Sequence, residues 1–263
     1  MSTLAGTVVG PVLPIRDNIP TTRQPVVTYG LIAANILVYF LWQRGGITLG
    51  DPSSPHYICQ LQDWAAIPYE VTHPGDQVLI AQGCPTPPDA PTYLTVFTAM
   101  FMHGGLLHLG GNMLFLWIFG NNVEDAMGSV KFLIFYLLAG VAALALQVVI
   151  DPSSQIPTLG ASGAIAGVLG GYILLFPRAR VVTVIFIVFF FTILELPALL
   201  VLGIWFLQQA LFGYFDLAQP GAGDSGGVAY FAHVGGFVFG LLAVRLFANR
   251  KRVNGQIDRA AFR

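Results

Sequence analysis

Apolar residues gather into runs near 26–42, 105–121, 130–150, 160–176, 195–214 and 229–248. Each run approaches the roughly 20 residues a helix needs to cross the hydrocarbon core of a bilayer. The pattern predicts an all-α, polytopic membrane protein: a six-helix membrane domain over 26–248, an N-terminal tail over 1–25 and a basic tail over 249–263. The stretch from Tyr93 to Gly120 is too long for one helix, and Gly104-Gly105 divides it into an apolar lead-in and the span proper. Residues 181–194 are expected to lie along the membrane interface, with Glu195, just before Pro197, as the acid that starts the next helix. No fixed-period repeat or low-complexity tract breaks this plan.

Composition narrows the class further. Apolar residues make up 55% of the chain and charged residues 10%, more apolar surface than a soluble domain of this length can bury. The net charge of −1 conceals an asymmetry that speaks of orientation and excludes a nucleic-acid partner. With the N-terminus inside, Arg16, Arg23, Lys131, Arg178, Arg180, Arg245, Arg250, Lys251, Arg252, Arg259 and Arg263 all fall on the inner side, and Arg44 alone falls outside. The positive-inside rule therefore places both termini in the cytoplasm, and the expected location is a prokaryotic plasma membrane. Residues 1–25 lack the apolar core of a cleavable signal, so the first span is expected to act as an uncleaved anchor. The Pro-rich outer loop over 43–92 holds both cysteines, Cys59 and Cys84. A disulfide and two free thiols are the alternatives there, and two cysteines alone make no metal site.

Polar residues within spans are costly unless partnered or used. Ser162 lies in Gly160-Ala161-Ser162-Gly163, His108 and Asn112 share a helix face four residues apart, and His233 begins the last span. Their spans, the second, fourth and sixth, all enter from the outer side. At about 1.5 Å per residue, the four groups sit at similar shallow depth. Gly163, Gly167 and Gly171 in one helix, and Ala232, Gly236 and Gly240 in the other, form small-residue faces that allow close approach. That contact would bring Ser162 to His233, a hydroxyl to the base that activates it. The sole acid near a span interior, Glu195, belongs near the inner face, so a Ser–His dyad is expected. The Ser162 backbone N–H, the Asn112 amide and the His108 ring are the candidate oxyanion donors. His103 is expected to be a structural loop residue.

These motifs, His103-Gly-Gly-Leu-Leu-His108-Leu-Gly-Gly-Asn112, Gly160-Ala161-Ser162-Gly163 and Ala232-His233-Val-Gly235-Gly236 in that order, resemble the rhomboid family of intramembrane serine proteases over residues near 93 to 248. The resemblance implies a rhomboid-like bundle with Ser162 as nucleophile, His233 as base, and His108 and Asn112 in the oxyanion site. It implies endopeptidase cleavage of single-span membrane proteins within the bilayer, without metal or organic cofactor. Access is expected to be gated by the fifth helix and by the segment 221–227 after it. Two positions depart from the family pattern. Ala166 stands where many members carry an aromatic residue, and Leu94-Thr95 stands where a Trp-Arg pair is common.

Three other readings use the same residues: a non-catalytic rhomboid-like binder of transmembrane segments, a small transporter, and a membrane acyltransferase or lipase. Intact Ser162 and His233 argue against the first. The transporter would need polar residues continuing to the inner face, where Glu195 and Gln208 or Gln209 are nearly alone. Product identity separates the third. The sequence carries no reading of oligomeric state.

Overall fold

A computed structural model describes residues 12–47, 53–80, 82–84, 90–187, 190–218 and 228–261. The tail before residue 12 and the 221–227 segment lie outside the described residues. Strand β1 (Val12–Asp17) precedes α1 (Val26–Leu37), which runs on through a π turn at Val38–Trp42. Two short helices, α2 (Pro55–Trp64) and α3 (Pro68–Thr72), form the outer loop, and α4 (Thr92–Thr98) ends in a 3₁₀ turn at Ala99–Phe101. Next, α5 (Leu106–Phe115), a π turn at Leu116–Gly120 and α6 (Asn121–Met127) make one helical stretch. The rest of the chain forms α7 (Ser129–Ile150), α8 (Ser162–Leu175), β2 (Arg180–Ile187), β3 (Phe190–Pro197), α9 (Ala198–Ala218), α10 (Tyr230–Phe247) and α11 (Arg250–Ala261).

Each expected run overlaps a helical stretch, the run 195–214 only from Ala198 onward. Among the described residues, three helices are long and apolar enough to cross a membrane: α7, α9 and α10. Val26–Trp42, Thr92–Phe101 and Ser162–Leu175 are shorter apolar helices. The surface of the long helices is itself apolar, with Val130, Ile134 and Leu138 on α7, Ile204 and Leu207 on α9, and Leu242 and Leu246 on α10 all exposed. Such a belt fits lipid, since water would not tolerate a contiguous patch of this kind.

At the centre stands α8, buried at every position from Gly163 to Ile173 and touched by α5, α7, α9 and α10. Its glycines are the reason it fits there. A Cβ on Gly236 would strike the Gly163 carbonyl, and one on Gly240 the Gly167 carbonyl, so the two small-residue faces meet backbone to backbone. Its 14 residues span about 21 Å, less than the roughly 30 Å of a hydrocarbon core.

The chain is mostly helical, but the all-α expectation omits a three-stranded antiparallel sheet in the order β1-β2-β3. Residues 181–194, expected along the membrane interface, form most of a hairpin in which Arg180 pairs with Pro197 and Ile187 with Phe190. The run Val181-Val182-Thr183-Val184-Ile185 is rich in β-branched residues, which favour strands. Pairing with β1 skips a residue between Pro14 and Arg16, as befits a proline that lacks the ladder N–H. Glu195 accordingly lies within β3 and starts no helix. Its carboxylate is 4.0 Å from Arg180, with both side chains more than half exposed, a pairing worth little.

Two acids tie β1 and the start of α1 to the bundle. Asp17 accepts hydrogen bonds from Asn122 Nδ2 and the Tyr172 hydroxyl, both at 2.6 Å. Glu124, itself buried, accepts from the backbone N–H groups of Val27 and Thr28 and from the Ser129 hydroxyl. It thereby satisfies orphan donors at the start of α1. At the opposite end, the outer loop is stapled by a Cys59–Cys84 disulfide. The Tyr57 hydroxyl and Gln43 Nε2 both donate to the His103 carbonyl, which fixes the loop over the lead-in to α5.

Candidate active site

Ser162 is the first residue of α8, and Gly160 before it has φ +117°, a backbone state open to glycine and strained for other residues. The first N–H groups of α8 have no partner within the helix and lie at the positive end of its dipole. His233 lies in the first turn of α10. The approach of α8 and α10 sets its Nε2 2.8 Å from Ser162 Oγ. Gln147 of α7 accepts from the Ala232 N–H at 3.2 Å, anchoring the turn that carries the imidazole.

His108, in the first turn of α5, faces the same point. Its Nδ1 accepts from the Gly104 N–H at 3.2 Å, which in the neutral ring puts the proton on Nε2 and makes that nitrogen a donor. That Nε2 lies 2.7 Å from where a Cβ on Gly160 would sit. One turn further along α5, Asn112 is buried, and its Nδ2 has no hydrogen-bond partner among the described residues. A buried amide N–H without an acceptor is costly, and here it borders a cavity. The cavity measures about 770 Å³ and is bordered by Ser162, His233, His108, Asn112 and Trp205, with Tyr57 and Leu61 of the outer loop on another side.

Four residues expected at the site thus meet around one cavity: Ser162, His233, His108 and Asn112. The other histidines do not. His56 contacts the Trp42 carbonyl, His73 contacts Tyr69, and His103 is buried with its ring against that of His108. Two further residues were missed by sequence reasoning. Gln209 Oε1 lies 2.7 Å from His233 Nδ1, and the Trp205 ring centroid is 5.7 Å from that of His233. Both come from α9, one helical turn apart. The available signal was their shared face and the scarcity of polar residues in that helix. Ala166 is explained in the same geometry: a Cβ on Gly236 would lie 3.4 Å from the Ala166 Cβ, so small residues on both sides let α10 approach. The ring support that position 166 does not supply comes instead from α9.

This arrangement can abstract a proton from a hydroxyl and offer hydrogen bonds to a developing anion. Residues 90–250 match the model of the Rhomboid domain. Over 156 residues, 57% of this chain and 40% of the relative, the sequence is 31% identical to Rhomboid protein 1, mitochondrial, of Saccharomyces cerevisiae. It is 32% identical over 147 residues, 56% of this chain and 24% of the relative, to Rhomboid protease GluP of Bacillus subtilis. With the human Presenilin-associated rhomboid-like protein, mitochondrial, it shares 30% over 165 residues, 62% of this chain and 36% of the relative. The matched segment thus spans well under half the length of these relatives. Their names do not support a prokaryotic plasma membrane, because two of the three are mitochondrial. With residues 90–250 matching the Rhomboid domain on a mostly helical chain with long apolar helices, the chain belongs to the rhomboid family of membrane proteins.

Proposed function

We propose that this protein is an intramembrane serine endopeptidase that cleaves single-span membrane proteins in or near their transmembrane segments, using Ser162 and His233 as a dyad. The observation that carries the reading is the 2.8 Å contact between Ser162 Oγ and His233 Nε2 inside a cavity that also holds two further hydrogen-bond donors. His233 takes the Ser162 proton as Oγ attacks the scissile carbonyl, then delivers it to the leaving amine. Water, activated by the same base, releases the acyl-enzyme. The Ser162 N–H, His108 Nε2–H and Asn112 Nδ2–H stabilise the oxyanion, and each such donor is worth about 2.7–4 kcal/mol. The chemistry calls for no metal or organic cofactor.

The six apolar stretches act as six spans, with 1–25 and 249–263 on the inner side and the cavity opening outward, as the charge pattern requires. The short α8 fits that assignment, since a helix that begins below the membrane surface leaves room for water above its first residue. A substrate helix enters beside α9, which is bound to the bundle along one narrow stripe.

The test is to purify wild type, Ser162→Ala and His233→Ala in detergent, react each with a fluorophosphonate and follow cleavage of a single-span substrate by mass spectrometry. Labelling and cleavage present in wild type and absent in Ser162→Ala are expected. Indistinguishable behaviour of the three proteins would sink the protease reading and favour a binder of transmembrane segments.

A further inference from the structure

We propose that Gln209 is the positioning residue for the base, aiming His233 at Ser162 from α9; the inference rests on the catalytic reading above. Along α9 the buried positions are Ala198, Leu202, Gln209 and Gly213, spaced four, seven and four apart. That is a single stripe on a helix whose other faces are largely apolar and exposed. An amide in such a stripe costs free energy unless it is hydrogen-bonded, and a leucine would fill the space without that cost. The partner is the His233 ring, 2.7 Å away.

The direction of the bond matters. A carbonyl oxygen only accepts, so Gln209 Oε1 facing Nδ1 requires Nδ1 to carry the ring proton. The lone pair then sits on Nε2, the nitrogen 2.8 Å from Ser162 Oγ, as a general base needs. In the other tautomer Nε2–H would face the hydroxyl and could not take its proton. Gln209 thus selects the working tautomer without bringing a charge into the membrane, and it accounts for a dyad that functions with no acidic third member. Trp205, one turn earlier, flanks the same ring, and at Gly213 a Cβ would come within 3.1 Å of Phe231. Alpha-helix nine is therefore seated closely against α10 at the level of the base, and any displacement of it breaks the Gln209 contact.

The experiment uses the full chain in detergent, as wild type, Gln209→Leu and Gln209→Glu. Turnover is measured across pH, and the His233 tautomer is read by ¹⁵N-histidine spectroscopy, assigned by difference against His233→Ala. For Gln209→Leu we expect kcat to fall about 10- to 100-fold, short of the roughly 10²–10⁴ a general base contributes, with KM nearly unchanged and the Nδ1–H signature reduced. Gln209→Glu keeps an acceptor and should retain most activity, with the acid limb of the pH profile moved upward because a carboxylate favours the imidazolium. His108 and Tyr57 are the other titratable rings bordering that cavity among the described residues, and both are common to all variants. An active Gln209→Leu enzyme with wild-type kcat, pH profile and tautomer would overturn the proposal, as would equal loss in a folded Gln209→Glu. A wild type with no Ser162-dependent cleavage would instead bring down the protease reading, a result recognisable before any Gln209 variant is tested.

Discussion

A methyl group added at Gly160 would meet His108 Nε2 at 2.7 Å and Cε1 at 2.9 Å, in a backbone conformation that L side chains rarely adopt. The ring would have to leave the position from which it faces Ser162. We expect Gly160→Ala to lower kcat by about 10²–10³-fold, the cost of one oxyanion donor, while circular dichroism shows intact helices. Asp17 makes a different prediction. Burial, opposed by the Tyr172 hydrogen bond, pushes its carboxyl up from the ordinary 3.8 to about 7. The folded state thus prefers the protonated acid. That contribution is fully present below about pH 4 and is lost as pH rises through about 7. The unfolding midpoint in detergent should therefore fall over that window, and Asp17→Asn should flatten the dependence; a wild-type slope in the variant would contradict it.

Between elements, the α8–α10 contact is the most exacting, because two glycines of α10 lie directly on carbonyls of α8. Gly236→Val should separate the helices and with them Ser162 from His233. Overpacking of this kind costs about 1–3 kcal/mol, so a lowered thermal midpoint together with lost fluorophosphonate labelling is the expected outcome. Much of this contact was legible in the sequence. The spacing of Gly163, Gly167, Ala232, Gly236 and Gly240 marked the two faces, and the apolar runs placed α7 and α10 to within a residue or two. The hairpin was not legible in the same way, because apolar residues on both faces of β2 and β3 conceal a period of two. Such a run reads equally as a membrane-seeking segment, and only the β-branched cluster at 181–185 leaned toward a strand. The support of His233 was hidden for another reason. Gln209 and Trp205 reach it across a lateral contact between helices, and no spacing within either helix encodes which faces will meet.

For the molecule as a whole, the cavity is bounded by elements far apart in the chain, with the outer loop contributing Tyr57 and Leu61. The Cys59–Cys84 bond, closing 25 residues of sequence, crosslinks that loop to itself. A crosslink over such a length constrains the unfolded chain by about 3.5 kcal/mol. Reduction, or Cys59→Ala with Cys84→Ala, should lower the thermal midpoint and raise KM more than it lowers kcat; kinetics untouched by reduction would show that the loop takes no part in binding substrate. At the other end of the bundle, Asp17 bonds a tyrosine 155 residues later in the chain, and β1 pairs with a strand that follows α8. During synthesis at about 5–20 residues per second, the first strand must wait unpaired while the ribosome delivers everything up to β2. β1 is thus a latch that cannot close until the central helix and β2 have both been made, and a chain stopped before β2 lacks it.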